Sequence, residues 1–97
     1  MREKGKMTFE WDPKKADINF RKHKVRFPEP IPVFEDEYAV TVSDDVSDPN
    51  ELRFIALGTG ALNRVLVVVY GSRKTSIRII SARLADAHER RDYEENR

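Results

Sequence analysis

Two arginines carry most of the chemical interest of this chain. Arg53 lies between Glu51 and Ile55 on one face of "ELRFIALG", and Arg78 between Ser76 and Ile80 on one face of "SIRIIS". Both segments read as β-strands, where alternate residues share a face. A strand arginine with apolar company must reach past the sheet edge to water or sit in a groove. Its planar fork matches the oxygens of a phosphate bidentately. Cleavage of an RNA phosphodiester needs a base for the 2′-hydroxyl, an acid for the leaving 5′-oxygen, and cations for the charge that grows on the phosphorane. Histidine can fill either proton-transfer role near neutral pH. Glutamate can act as base, and arginines stabilise the developing charge.

Each residue also has a plain structural role open to it. Arg53 can form a cross-strand pair with Glu51 or another acid, which is worth well under about 1 kcal/mol when exposed. Arg78 can be an exposed sheet arginine. His23, at the end of a helix, can interact with the helix dipole. Arg83 can point to solvent or toward the end of the sheet. Tyr93 can be a packed aromatic with its hydroxyl at the surface.

The elements that must position these residues follow from pattern. "FEW" at Phe9–Trp11 reads as a short strand. Asp12 is a good N-cap and Pro13 suits the first helical position. Ala16, Phe20 and His23 then recur at helical spacing, so an amphipathic helix ends near His23 or Lys24. Pro28, Pro30 and Pro32 hold their predecessors extended and allow at most one helical turn, near Pro32–Glu35. "YAVTVS" at Tyr38–Ser43, Glu51–Leu57, the doubly apolar "RVLVVVY" and Ser76–Ser81 are strands, "RVLVVVY" being central. Strict alternation puts Ile77, Ile79 and Ser81 on one face of the last strand and Ser76, Arg78 and Ile80 on the other. Asp44–Asn50 is a loop. "DAHE" at Asp86–Glu89 has the form of a capping box, opening a helix from about Ala87 to Glu95. The fold class is α+β, a small antiparallel sheet of four to five strands with an N-terminal helix, a possible short second one, and a C-terminal helix. Residues 1–8 read as a flexible tail and 9–97 as a single domain.

Composition sets the outer bounds. The chain has 97 residues, no cysteine and a net charge of +1. Disulfides and thiol chemistry are excluded, which suits a reducing cytosol, the expected location. The longest apolar run, "VLVVVY", has the length of a strand and not of a membrane span, and no membrane association is expected. There is no glycine-rich phosphate loop, serine elbow or histidine pair at metal spacing, so neither metal nor cofactor is expected. Charge is segregated: nine basic and five acidic residues fall in 1–30, one and seven in 31–61, and eight and five in 62–97. That distribution allows a basic surface built from the two ends of the chain, and equally allows ordinary scatter.

In order and spacing, "FEWDPKKADINFRKHKVRF", "VFEDEYAVTV", "ELRFIALG", "RVLVVVY" and "IRIISARLADAHERRDYEE" resemble the BrnT toxins of bacterial type II toxin–antitoxin pairs. The likeness runs from Phe9 to Glu95. It implies a RelE-like ribonuclease fold, RNA cleavage that blocks translation, and neutralisation by a BrnA-like antitoxin with a ribbon-helix-helix DNA-binding domain. Operator DNA would be met only through that antitoxin. Residue by residue, the resemblance supports His23, Glu51, Arg53, Arg78, Ser81, Arg83, Glu89, Arg90 and Tyr93. The chain departs from the family at Lys24, where glycine would suit a left-handed helix end, and at "PEPIPV", where the family has an alanine-rich helix.

The expectation is therefore a metal-independent endoribonuclease acting on an RNA substrate. Arg53 and Arg78 would bind phosphate and the transition state, and His23 or Glu51 would handle a proton. Arg83, Tyr93 and Lys22 would contact RNA. The alternative is a binding module without catalysis, which holds the antitoxin and modulates its binding to the promoter.

Overall fold

The computed structural model describes residues 7–43, 51–73 and 75–97. The loop expected at Asp44–Asn50 and residues 1–6 of the expected tail lie outside them. Strand β1 (Thr8–Glu10) leads to helix α1 (Pro13–His23) and then a 3-10 helix, Ile31–Glu35. Strands β2 (Val40–Ser43), β3 (Leu52–Thr59), β4 (Val65–Ser72) and β5 (Ser76–Leu84) follow, and helix α2 (Ala87–Glu95) comes last. The strands form one sheet in the order β1-β5-β4-β3-β2.

Strands β2 to β5 are an antiparallel meander, as the short connections imply. β1 pairs with β5 in parallel, Glu10 standing opposite Arg78, so the whole sheet is mixed and not purely antiparallel. No hairpin links β1 to β5, and α1 with three strands intervenes, so chain direction there is free of turn geometry. Phe9 points to the core side and its ring lies 5.4 Å from that of Phe34, which packs edge-on against Tyr70 at 4.8 Å. The core is built by Val25, Phe27, Val33, Ala56, Leu66, Val68, Ile77, Ile79 and Ala82.

The helices begin where the side chains provide for it. Asp12 accepts a hydrogen bond from the Lys14 amide at 2.9 Å, with Pro13 at the first helical position. In α2 both halves of the capping box are formed: Asp86 accepts from the Glu89 amide and Glu89 accepts from the Asp86 amide. At the other end of α1, Lys24 takes the left-handed conformation, φ 61°, and its amide bonds the carbonyl of Phe20. That conformation costs a non-glycine residue about 1–2 kcal/mol. The second helix is a short 3-10 segment, one residue longer than expected at its start: Pro32 sits in its first turn, and Ile31 before it, expected to be extended, is inside the helix.

β5 is nine residues long, and β1 covers only Ser76–Arg78 of its outer edge. Asn19 of α1 covers part of what remains. Its carboxamide donates to the carbonyl of Ala82 at 2.8 Å and accepts from the amide of Ala82 at 3.1 Å, as a neighbouring strand would. A third bond runs from the same amide group to the carbonyl of Val25. Asn19 is buried, so these groups have no access to water.

The register between β4 and β5 shifts once. Tyr70 pairs with Ile79 and Val69 with Ser81, leaving Ile80 as an extra residue. This bulge reverses the faces of everything after it. Strict alternation puts Ser81 with Ile77 and Ile79. In the structure Ser81 and Arg83 instead share a face with Arg78, opposite the core.

Two substitutions test these positions. Asn19→Ala strands buried backbone groups of Ala82 and Val25, and should lower unfolding free energy by about 3 kcal/mol in denaturant titration. Lys24→Gly relieves the left-handed strain but adds unfolded-state freedom, and should raise stability by about 0.5–1 kcal/mol in the same assay.

Candidate active site

The face of the sheet turned away from the core carries three cross-strand rows. The first is Arg53–Gly71–Arg78, the second Ile55–Val69–Ser81, and the third Leu57–Val67–Arg83. The sequence-expected arginines are therefore on one face, and Arg53 and Arg78 flank a glycine in the same row.

Glu51, immediately before β3, sends its side chain into that row. Its Oε2 accepts from Nη2 of Arg78 at 2.6 Å, and its Oε1 accepts from Nε of Arg78 at 3.2 Å. Oε1 also accepts from Nε of Arg73 at 3.1 Å. The Glu51 side chain is only 3% exposed, against 27% for Arg78 and 54% for Arg73. The hydrogen bond from Arg78 holds the Glu51 carboxyl below its usual range; burial opposes this, and the charges of Arg78 and Arg73 add to it. Arg73 also lies 4.0 Å from Glu10. Across the row, Nε of Arg53 is buried and has no hydrogen-bond partner among the described residues. Arg73 is a member of this cluster that the sequence did not single out, because it falls in the β4–β5 turn and strand alternation says nothing about turns.

The other candidates are placed differently. His23 and Lys22 line a shallow pocket of about 160 Å³ with Lys15, Ile18, Asn19, Ile80 and Ser81. Ser81 connects that pocket to the arginine face, but His23 and Glu51 belong to separate clusters. Arg83 is engaged by a carboxylate: its two terminal nitrogens reach Glu89 at 2.9 Å each, and one also reaches the carbonyl of Leu84. Tyr93, expected to meet RNA, is 3% exposed. Its hydroxyl donates to Asp36 and accepts from Thr59. The ring offers no face to a base, and its position docks α2 against the end of the sheet. Burial pushes the Tyr93 phenol up. It would push Asp36 up as well, but bonds from Tyr93 and from the amides of Thr59 and Tyr38 outweigh it and leave Asp36 lowered. Among the described residues no group of three or more His, Asp or Glu side chains is placed to hold a metal ion. No helix among them is long and apolar enough to cross a membrane.

The family described as "Ribonuclease toxin, BrnT, of type II toxin-antitoxin system" matches residues 11–89. This chain belongs to the BrnT family. As a BrnT protein it is a toxin component of ribonuclease type, and the two-component system implies an antitoxin partner. Among solved structures, the crystal structure of the Brucella abortus ribonuclease toxin BrnT is similar, with a TM-score of 0.65 and 22% sequence identity. The match covers 82% of this chain and 97% of that one, and at this identity it supports the fold. No curated protein matches the chain. The BrnT span takes in β3, β4 and β5, and with them Glu51, Arg53, Arg73 and Arg78.

The Arg83–Glu89 pair sets an acid response. Hydrogen bonds from Arg83 and then from the Asp86 amide lower the Glu89 carboxyl from 4.5 to about 2. A carboxyl lowered on folding adds stability above its unfolded value and loses it as pH falls toward the folded one. Because Arg83 is 42% exposed, screening reduces the contribution to about 1–2 kcal/mol. Unfolding free energy of the wild type should therefore fall between about pH 4.5 and 2, and Glu89→Gln should flatten that part of the profile, in urea titrations across pH.

Proposed function

We propose that the chain is an endoribonuclease toxin that cleaves RNA by attack of a 2′-hydroxyl on the neighbouring phosphorus, and so inhibits translation. The observation that carries this reading is the row Arg53–Gly71–Arg78, joined by Arg73, on the sheet face opposite the core. Among the described residues, three guanidinium groups share this patch with one buried carboxylate and with Glu10 at its margin. Arg53 adds a third guanidinium to the row, whose fork matches phosphate oxygens.

In this mechanism Arg53 and Arg78 bind the non-bridging oxygens. They hold the charge that develops as the 2′-oxygen bonds to phosphorus and the 5′-oxygen leaves. The products are a 2′,3′-cyclic phosphate and a 5′-hydroxyl. The proton from the 2′-hydroxyl goes to a base, and the leaving oxygen takes one from an acid. His23 is our candidate for one of these transfers, because histidine changes charge near neutral pH and its pocket reaches the arginine face at Ser81. Lys22, beside it, would draw the RNA backbone toward that pocket. Electrostatic stabilisation by arginine substitutes for a metal in this scheme. The partner would be a BrnA-like ribbon-helix-helix antitoxin, with operator DNA bound through it.

The reading is tested by incubating purified chain with single-stranded RNA in EDTA. Cyclic-phosphate products are expected from the wild type. Arg53→Ala and Arg78→Lys should slow the reaction by about 10²–10³-fold, with far-ultraviolet circular dichroism unchanged. The same variants should relieve growth arrest on induction in a bacterial host without antitoxin. Absence of product from a folded wild-type chain that still binds antitoxin would favour a non-catalytic binding module.

A further inference from the structure

Gly71 has an ordinary backbone conformation; no described glycine has positive φ. What glycine supplies at this position is room. A Cβ on Gly71 would stand 2.3 Å from Oε2 of Glu51 and 2.4 Å from its Cδ. The Glu51 carboxylate thus lies in the space a side chain at position 71 would fill, in the middle of the Arg53–Gly71–Arg78 row. There its two oxygens accept three hydrogen bonds, two from Arg78 and one from Arg73. A general base needs a lone pair that the substrate hydroxyl can reach. Glu51 is buried and turned to the arginines, which is the arrangement of a counter-ion. Arg73 gives it only its Nε–H and is held at the stem, while Arg78 gives Nε–H and Nη2–H and is held along one edge of its guanidinium. Arg73 remains half exposed beyond that point.

We propose that Glu51 is a positioning residue and not the base of the reaction. It is a fixed internal counter-ion, seated over Gly71, that orients Arg73 and Arg78 toward the phosphodiester, and Arg73 is thereby a third phosphate ligand. This inference rests on the ribonuclease reading but depends on separate observations: the seat, the burial and the direction of the hydrogen bonds.

The test uses the full chain, with wild type, Glu51→Gln, Gly71→Ala and the double variant, and Arg73→Ala. Glu51→Gln and Gly71→Ala should each lower kcat by about 10- to 100-fold, and the double variant should be no slower than the slower single one. The acid limb of the kcat–pH profile should survive in Glu51→Gln. Arg73→Ala should raise KM about 5- to 10-fold. Loss of the acid limb in Glu51→Gln would overturn the proposal and make Glu51 the base. So would wild-type kinetics in a folded Gly71→Ala.

A second measurement does not need catalysis, and stands if Gly71→Ala fails to fold. In proton–nitrogen spectra, the Nε–H signals of Arg73 and Arg78 should be resolved and slow to exchange in the wild type and collapse in Glu51→Gln. Titration with 2′-O-methyl RNA, which cannot be cleaved by its own 2′-hydroxyl, should shift the Arg73 and Arg53 signals. If the wild type does not cleave RNA but these shifts occur, the ribonuclease reading fails and the positioning role stands. If no arginine signal moves, the positioning role fails.

Discussion

The structure depends on how β5 is bounded. On one side it pairs with β4 along most of its length. On the other, β1 covers its first three residues and Asn19 supplies a strand's hydrogen bonds at Ala82. An open edge in a small sheet leaves backbone groups unpaired, and it costs more where the edge is buried. By closing it with a side chain from α1, the chain fixes α1 against β5 and so fixes His23 and Lys22 beside Ser81. β5 itself carries Arg78, Ser81 and Arg83. One strand therefore anchors the arginine row, the histidine pocket and the entry to α2.

The bulge at Ile80 decides which face these residues share. Without it, Arg83 would point to the side of Ile77 and Ile79, where Val25 and Phe27 close the core. A guanidinium there would be buried without water and would cost several kcal/mol. With it, Arg83 emerges beside Val67 and meets Glu89 of α2. The extra residue thus resolves a conflict between a nine-residue strand and the polar residues at its end, and it collects all the β5 arginines on the outer face.

Helix signals were legible in the sequence because they are local. Asp12 with Pro13, and Asp86 with Glu89, state where a helix begins, and α2 begins at Ala87 as its capping box implied. The single short turn expected near Pro32–Glu35 is present, with Pro32 at its start, where a missing N–H costs nothing. The fold class and the sharing of a strand face by Glu51 and Arg53 followed from alternation, while the pairing of β3 and β5 with β4 puts Arg53 and Arg78 on one sheet face. What alternation could not deliver was the bulge, since one inserted residue is set by pairing with β4 and leaves no mark in composition. Direction of β1 was hidden for a similar reason: the partner strand is nearly seventy residues away, and no turn type dictates parallel or antiparallel. Arg73 was missed because its role comes from reaching back over Gly71 to Glu51. The burial of Tyr93 could not be read locally, because its partners, Asp36 and Thr59, are distant in sequence.

The outer face carries two kinds of carboxylate–arginine contact. Glu89 is part of a capping box as well as the partner of Arg83, so one carboxylate starts α2 and ties it to β5. Such a pair contributes to the fold and has little donor capacity left to give a ligand. Glu51 satisfies no backbone group in the bonds described for it; its partners are Arg73 and Arg78. Burying a carboxylate is unfavourable unless its hydrogen bonds and charge are met, and here two arginines meet it while a third, Arg53, stands in the same row. A sheet face needs no such assembly for stability, since apolar residues of similar volume would serve as well or better. Among the described residues, one end of the sheet thus holds an arginine cluster around a buried carboxylate and the other a single ion pair.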